Sequence, residues 1–295
     1  MLLLFSTWIC YFAAFYLACL GCGFLYRRGF LPLHTSALVG TSAYVFAGIC
    51  GVERYSATLA AIVALLVTIG VAVLSGMVFL RVRGPSAALI TISMQFLFDR
   101  YINTVKWTGG SAGIWQGIPV LSINEKMALS LVLIFFCGLL YTAFRKTTAS
   151  RLLIVGGHVP LLATATTSVH PVAPLGLTNI LVGFCAGCAG LILTLQTGFI
   201  APPSFSLNWS LLYAGTIVLV GWQSLGAIAI GTFVLSLLPE ILRYAGLGQS
   251  AVSAWRGLIV GIVVAAVVWA QFPSMAPLVK HIVPARVINR GNKSE

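Results

Sequence analysis

ATLAAIVALLVTIGVAVLSGMVFL, residues 57–80, runs unbroken without an Asp, Glu, Lys or Arg. As an α-helix this stretch is about 36 Å long, enough to cross a hydrocarbon core about 30 Å thick. It lacks the strict apolar/polar alternation of a barrel strand, so a spanning helix is the reading. Working outward, similar apolar runs occupy 2–26, 35–50, 86–104, 127–144, 175–197, 208–222, 224–242 and 255–272. The run at 35–50 is short, and almost nothing separates the last residue of 208–222 from the next run. The fold class expected is all-α, a polytopic transmembrane helical bundle of about nine spans including short or re-entrant segments.

Composition agrees. The chain of 295 residues is 59% hydrophobic and 7% charged, against roughly 45–50% and 25% in soluble domains. Its net charge of +12 does not point to nucleic acid, because the basic residues stand singly or in pairs between apolar runs and form no stripe along which phosphates would lie. The opening run Leu2–Leu25 has no basic segment before it and is too long for the core of a signal peptide, so it reads as a first span.

Charge placement tests the span order. With the C-terminal tail cytoplasmic, eleven basic residues fall inside: Arg27, Arg28, Arg81, Arg83, Arg145, Lys146, Arg151, Lys280, Arg286, Arg290 and Lys293. Six fall outside: Arg54, Arg100, Lys106, Lys126, Arg243 and Arg256. This is the bias of the positive-inside rule, and it places the N-terminus outside. Residues 105–126 then form the main external loop and 145–174 the main internal segment. The stretch 198–207, GFIAPPSFSL, is apolar but carries Pro202 and Pro203. Paired prolines break a helix, so it is a candidate re-entrant or interfacial hairpin. Residues 1–280 are expected to form one transmembrane domain and 281–295 a polar cytoplasmic tail.

Chemistry-bearing motifs are few. No G-x-x-x-x-G-K-[ST] occurs, so any ATP use belongs to another chain. Cys19/Cys22 and Cys185/Cys188 have C-x-x-C spacing, yet neither pair has a second C-x-x-C or a nearby His, and small apolar side chains packing between helices is the simpler reading. His34, His158, His170 and His281 are dispersed without ligand spacing, and no metal site is expected. No general base stands beside a nucleophile, so a Ser/His/Asp or Cys/His catalytic arrangement is not supported and no catalytic residue is expected. Asp99 and Arg100, flanked by Gln95 and Asn103, make a polar patch near the outer end of a span. Small-x-x-x-small spacing in VGFCAGCAG (Val182–Gly190) and LGAIAIG (Leu225–Gly231) allows close helix approach.

Four separated blocks resemble the branched-chain amino acid permeases of bacterial ABC importers. They are GFLPLHTSALVGTSAY (Gly29–Tyr44), RVRGPSAALITISMQF (Arg81–Phe96) followed by TGGSAGIWQGIP (Thr108–Pro119), AGCAGLILTLQTGFIAPPSFSL (Ala186–Leu207) and LLPEILRYAGL (Leu237–Leu247). The resemblance implies a multi-pass bacterial inner-membrane protein with a central substrate path. It implies a second, related permease subunit, two cytoplasmic ATPase subunits that use ATP, and a periplasmic or lipid-anchored solute-binding protein. No cofactor is expected on this chain itself.

On that basis the substrate path is expected to include Leu33, His34, Ser36, Ser42, Tyr44, Thr91, Ser93, Gln95 and Asp99. The ATPase coupling segment is expected at Pro160, Leu161, Leu162, Ala163, Thr164, Ala165, Thr166, Thr167 and Ser168. Here the chain departs from the family, whose coupling segment is usually acidic. Gly156–Gly176 has no carboxylate and has three prolines. His34 stands where a glycine is usual. The expected cargo is a branched-chain or related amino acid moved by alternating access. Urea, a short amide or another neutral solute on the same fold is the alternative, and an ATP-independent carrier or channel the rival of another class.

Overall fold

The computed structural model describes residues 2–27, 31–81, 85–115, 117–119, 121–158 and 172–244, with single positions 258, 261 and 262. These form α1 (Leu2–Tyr26), α2 (Thr35–Ala47), α3 (Ala57–Arg81), α4 (Pro85–Thr104), α5 (Ile123–Lys146), α6 (Thr148–His158), α7 (Val172–Thr197), α8 (Leu207–Val220) and α9 (Leu225–Tyr244). Among the described residues the only β pairing is a single antiparallel bridge, Ile114 to Ile200. The architecture is a helical membrane bundle.

Five segments are long and apolar enough to cross a membrane: Ser6–Tyr26, Ala57–Val78, Ile123–Lys146, Pro174–Thr197 and Pro202–Val220. Thr35–Gly51 and Leu225–Val234 are shorter apolar helices. The helix expected at 86–104 is present as α4, made less apolar by Gln95, Asp99, Arg100 and Asn103. The last expected span, 255–272, lies outside the described residues except for helical Leu258, Gly261 and Ile262.

The bundle is built around α1 and α7. Their most apolar windows are 78% and 72% buried, whereas those of α3 and α5 are 22% and 28% buried and turn Leu66, Leu74, Phe135 and Leu139 outward. Small residues make α7 the axis. A Cβ on Gly183 would stand 2.7 Å from Ile69 Cα in α3, and one on Gly190 would collide with the Val39 carbonyl in α2. Backbones this close leave no room for a side chain. All seven cysteines are buried.

Two boundaries differ from the sequence expectation. The fifth span begins at Ile123, not 127, because Ser122 and Glu125 form a reciprocal capping box that draws two charged residues into the first turn. The internal segment 145–174 is not one connection. Thr147 takes an extended conformation and ends α5, α6 follows at once, and α7 starts at Val172.

Arg27, Tyr141, Phe144, Ser150 and Trp222 meet at one end, the end assigned to the cytoplasm. The bridge between Ile114 and Ile200 closes the other.

Candidate functional site

α2 does not start at a bundle end. Cys22, one turn before the end of α1, lies 3.1 Å from Thr35 Oγ1. The Leu33 N–H donates to Thr91 Oγ1 at 3.3 Å, six residues into α4. His34, the N-cap, has no side-chain capping bond of its own. A helix start inside a membrane bundle exposes N–H groups that no water can satisfy. Other helices supply the acceptors. Ser36 N donates to Ser210 Oγ at 2.9 Å, and Ala37 N to Gln95 Oε1 at 3.0 Å.

Gln95 is the hub of this cap. Its Oε1 also accepts from Ser210 Oγ at 3.1 Å. Its Nε2 donates to the Phe205 carbonyl at 2.8 Å and to Asp99 Oδ1 at 3.1 Å. A primary amide offers two acceptor lone pairs and two donor hydrogens, and all four are used. The segment 198–207 therefore dips into the bundle, from Ile200 bridged to the external loop down to Phe205 beside α4. There α8 begins, and its first turn touches the first turn of α2 at Ser36 and Ser210.

One stripe of α2 carries Ser36, Gly40 and Tyr44, at i, i+4 and i+8. Ser36 Oγ and the Tyr44 hydroxyl are buried, and among the described residues neither has a hydrogen-bond partner. Between them a Cβ on Gly40 would overlap the Phe98 ring and come within 3.0 Å of Phe205 Cγ. Tyr44 packs edge-on to Phe205 with centroids 5.9 Å apart. The stripe thus holds two unused hydroxyls separated by an aromatic seal and carries no ionised side chain.

The expected path residues divide accordingly. Leu33, His34, Ser36, Thr91, Gln95 and Asp99 gather around the start of α2, and Tyr44 lies at the far end of the stripe. His34 is buried with Nε2 3.5 Å from Ser75 Oγ in α3. Asp99 is reached through Gln95. Ser42 faces another way and donates to the Gly187 carbonyl of α7 at 2.8 Å. Ser93 is exposed and bonds back to Leu89 O in its own helix. The segment Pro160–Ser168 lies outside the described residues. Gly40, inside the Gly29–Tyr44 block, completes the stripe, and Ser210, Phe98 and Phe205 join the site without having been expected there. The proline break at 202–203 was the available signal for Phe205. Nothing local in the sequence marks Ser210.

Residues 4–268 match the family model described as branched-chain amino acid transport system / permease component. The chain belongs to this family. It is accordingly a multi-pass membrane component of a branched-chain amino acid transport system, and the family is one of transporter subunits rather than enzymes. No curated protein matches the chain, and no solved structure matches it. In this permease, residues 31–44 and 198–207 supply two sides of the candidate site, α2 with its buried start and the dipping segment before α8.

Proposed function

We propose that this permease is the membrane-spanning subunit of a bacterial inner-membrane ABC importer, and that it translocates branched-chain amino acids by alternating access. The observation that supports the reading is the Ser36–Gly40–Tyr44 stripe, set where the first turns of α2 and α8 meet. Helix N-termini carry partial positive charge and suit a carboxylate. Two hydroxyls with unused hydrogen-bonding capacity suit a solute bearing both charges. The apolar walls, Phe98 and Phe205, suit an aliphatic side chain, and the absence of an ionised group on the stripe disfavours a solute of net charge.

In this reading residues 1–280 form the transmembrane domain and 281–295 a cytoplasmic tail. The chain binds no cofactor. ATP is used by two partner ATPases that contact the Pro160–Ser168 segment. A related permease subunit stands alongside, and a periplasmic or lipid-anchored binding protein delivers the solute at the Ile114–Ile200 end.

The test is purification of the tagged chain from native membranes, followed by reconstitution of what accompanies it. ATP-dependent uptake of radiolabelled leucine, competed by isoleucine and valine but not by urea, supports the proposal. Uptake without ATP by the chain alone would sink it in favour of a secondary carrier. Competition by urea or acetamide would move the assignment to the neutral-solute alternative.

A further inference from the structure

Arg27 directly follows α1 and is 4% exposed. A guanidinium does not lose its proton in proteins, so burying it requires compensation. Among the described residues no carboxylate supplies it. Nη1 donates to Ser150 Oγ in α6. The guanidinium carbon lies 4.7 Å from the ring centre of Trp222, 5.4 Å from Tyr141 and 5.9 Å from Phe144. The Tyr141 hydroxyl donates to the Trp222 carbonyl at 2.6 Å, so the walls of the box hold one another. Of the acidic residues in the described segments, Glu53 follows α2 and Glu125 opens α5, both away from the α1 terminus, and Asp99 is engaged by Gln95.

One side chain thus joins α1, α5, α6 and the turn between α8 and α9. The character of the joint matters. A salt bridge would hold the guanidinium on one pair of oxygens. Attraction to a ring face is spread over the face, so the cation can pivot across Trp222 and Tyr141 and stay compensated. α6 is itself jointed. It meets α5 through the single extended residue Thr147, whose Oγ1 donates to Phe144 O at 2.7 Å and accepts from Ser150 N at 3.4 Å. α6 leads straight into residues 159–171 in the chain, so a push on that stretch is passed directly to α6.

We propose that Arg27 is a positioning residue for energy coupling: it carries displacement of α6 to α1 and to the α8–α9 turn, and so moves α8 against α2 at the Ser36–Ser210 contact. This inference rests on the ATPase partnership proposed above.

The experiment uses the complete transport complex in liposomes and reads leucine uptake and ATP hydrolysis in one preparation. Arg27→Gln is expected to leave hydrolysis within about twofold and to lower leucine moved per ATP at least about tenfold. Arg27→Lys, which keeps a cation over the rings, is expected to recover about half of the lost ratio, and Ser150→Ala to lower it about threefold. An unchanged ratio in Arg27→Gln overturns the proposal, as does a parallel fall of uptake and hydrolysis that Lys does not relieve. If Arg27→Gln fails to assemble, Ser150→Ala decides, and an unchanged ratio there overturns it. A wild-type complex that neither hydrolyses ATP nor takes up leucine sinks the importer reading, and that failure is seen before any variant is compared.

Discussion

The backbone N–H of Ala37 donates to the side-chain Oε1 of Gln95 at 3.0 Å, across 58 residues of sequence. A helix start that would be unsatisfied in the bundle is thereby capped by a different helix. Because Gln95 also holds Ser210, Phe205 and Asp99, one amide sets the relative positions of α2, α4, α8 and the dipping segment before α8.

The first prediction concerns that amide. Gln95→Leu keeps the approximate volume and removes all four bonds. Each buried orphan costs about 1–3 kcal/mol, discounted in membranes because alternative partners are found. A loss of about 2–4 kcal/mol is expected, read as a fall in the thermal midpoint in mild detergent. Ser210→Ala removes one of these bonds, to Gln95 Oε1, together with the bond from Ser36 N, and should cost less. Because the two residues share partners, the double variant should fall short of the sum. Additive losses would mean that Gln95 and Ser210 act independently, against the geometry.

How much of this was legible beforehand follows from the range of each interaction. α1, α3 and α7 announce themselves because lipid selects on local apolarity, which a sequence window measures directly. Ser122 and Glu125 also form a local signal, a capping box, but Glu125 and Lys126 read as loop charges and the helix start was placed at 127. The cap of α2 was not legible. Ser36 and Ser210 are 174 residues apart, and no local pattern records that pairing. Ser93 illustrates the converse. It sits two residues from Gln95 in a matched block, yet a helix turns about 200° in two residues, so the two side chains point to opposite sides.

That difference gives the second prediction. Ser93→Ala removes an exposed hydroxyl that bonds only within α4. Uptake and stability should both stay within about 0.5 kcal/mol of wild type. A large loss of uptake in Ser93→Ala would place the substrate path on the outer face of α4 instead of along α2.

A third prediction tests the axis of the bundle. Gly183→Val puts branched carbon where a single Cβ would already stand 2.7 Å from the Ile69 backbone. Backbone cannot yield as a flexible side chain does, so separation of α3 from α7 is expected, at a cost of about 3 kcal/mol or more. Poor membrane accumulation and a lowered midpoint would report it. Gly176→Ala, on the same helix with nothing within 4 Å of the added carbon, serves as the matched control and should be tolerated.

The fourth prediction separates binding from folding. Ser36 Oγ and the Tyr44 hydroxyl are buried without partners among the described residues. A hydroxyl kept only for structure would be expected to bond. Removing an unsatisfied one relieves a penalty, so Ser36→Ala and Tyr44→Phe should leave the thermal midpoint unchanged or raised. If the hydroxyls serve the solute, KM for uptake should rise about 3–10-fold for each, the value of one neutral hydrogen bond. Lower stability with unchanged KM would assign both groups to packing and remove the stripe from the path.

The last prediction concerns the seal over Gly40. A solute moving along the stripe from Tyr44 to Ser36 must displace Phe98 or Phe205, because both rings occupy the space above Gly40. Gly40→Ala adds one carbon into that contact. Overpacking of this kind costs about 1–3 kcal/mol, and here it falls on the closed arrangement because that is where the rings meet Gly40. The variant should therefore leak. ATP-independent exchange of leucine across liposomes should rise severalfold while coupled uptake falls. Phe98→Leu removes the overlapping part of the ring, so combining it with Gly40→Ala should restore the seal and bring exchange back toward wild type. If the double variant leaks more than either single one, the two residues do not share a contact along the path, and the barrier to the solute lies elsewhere in the bundle.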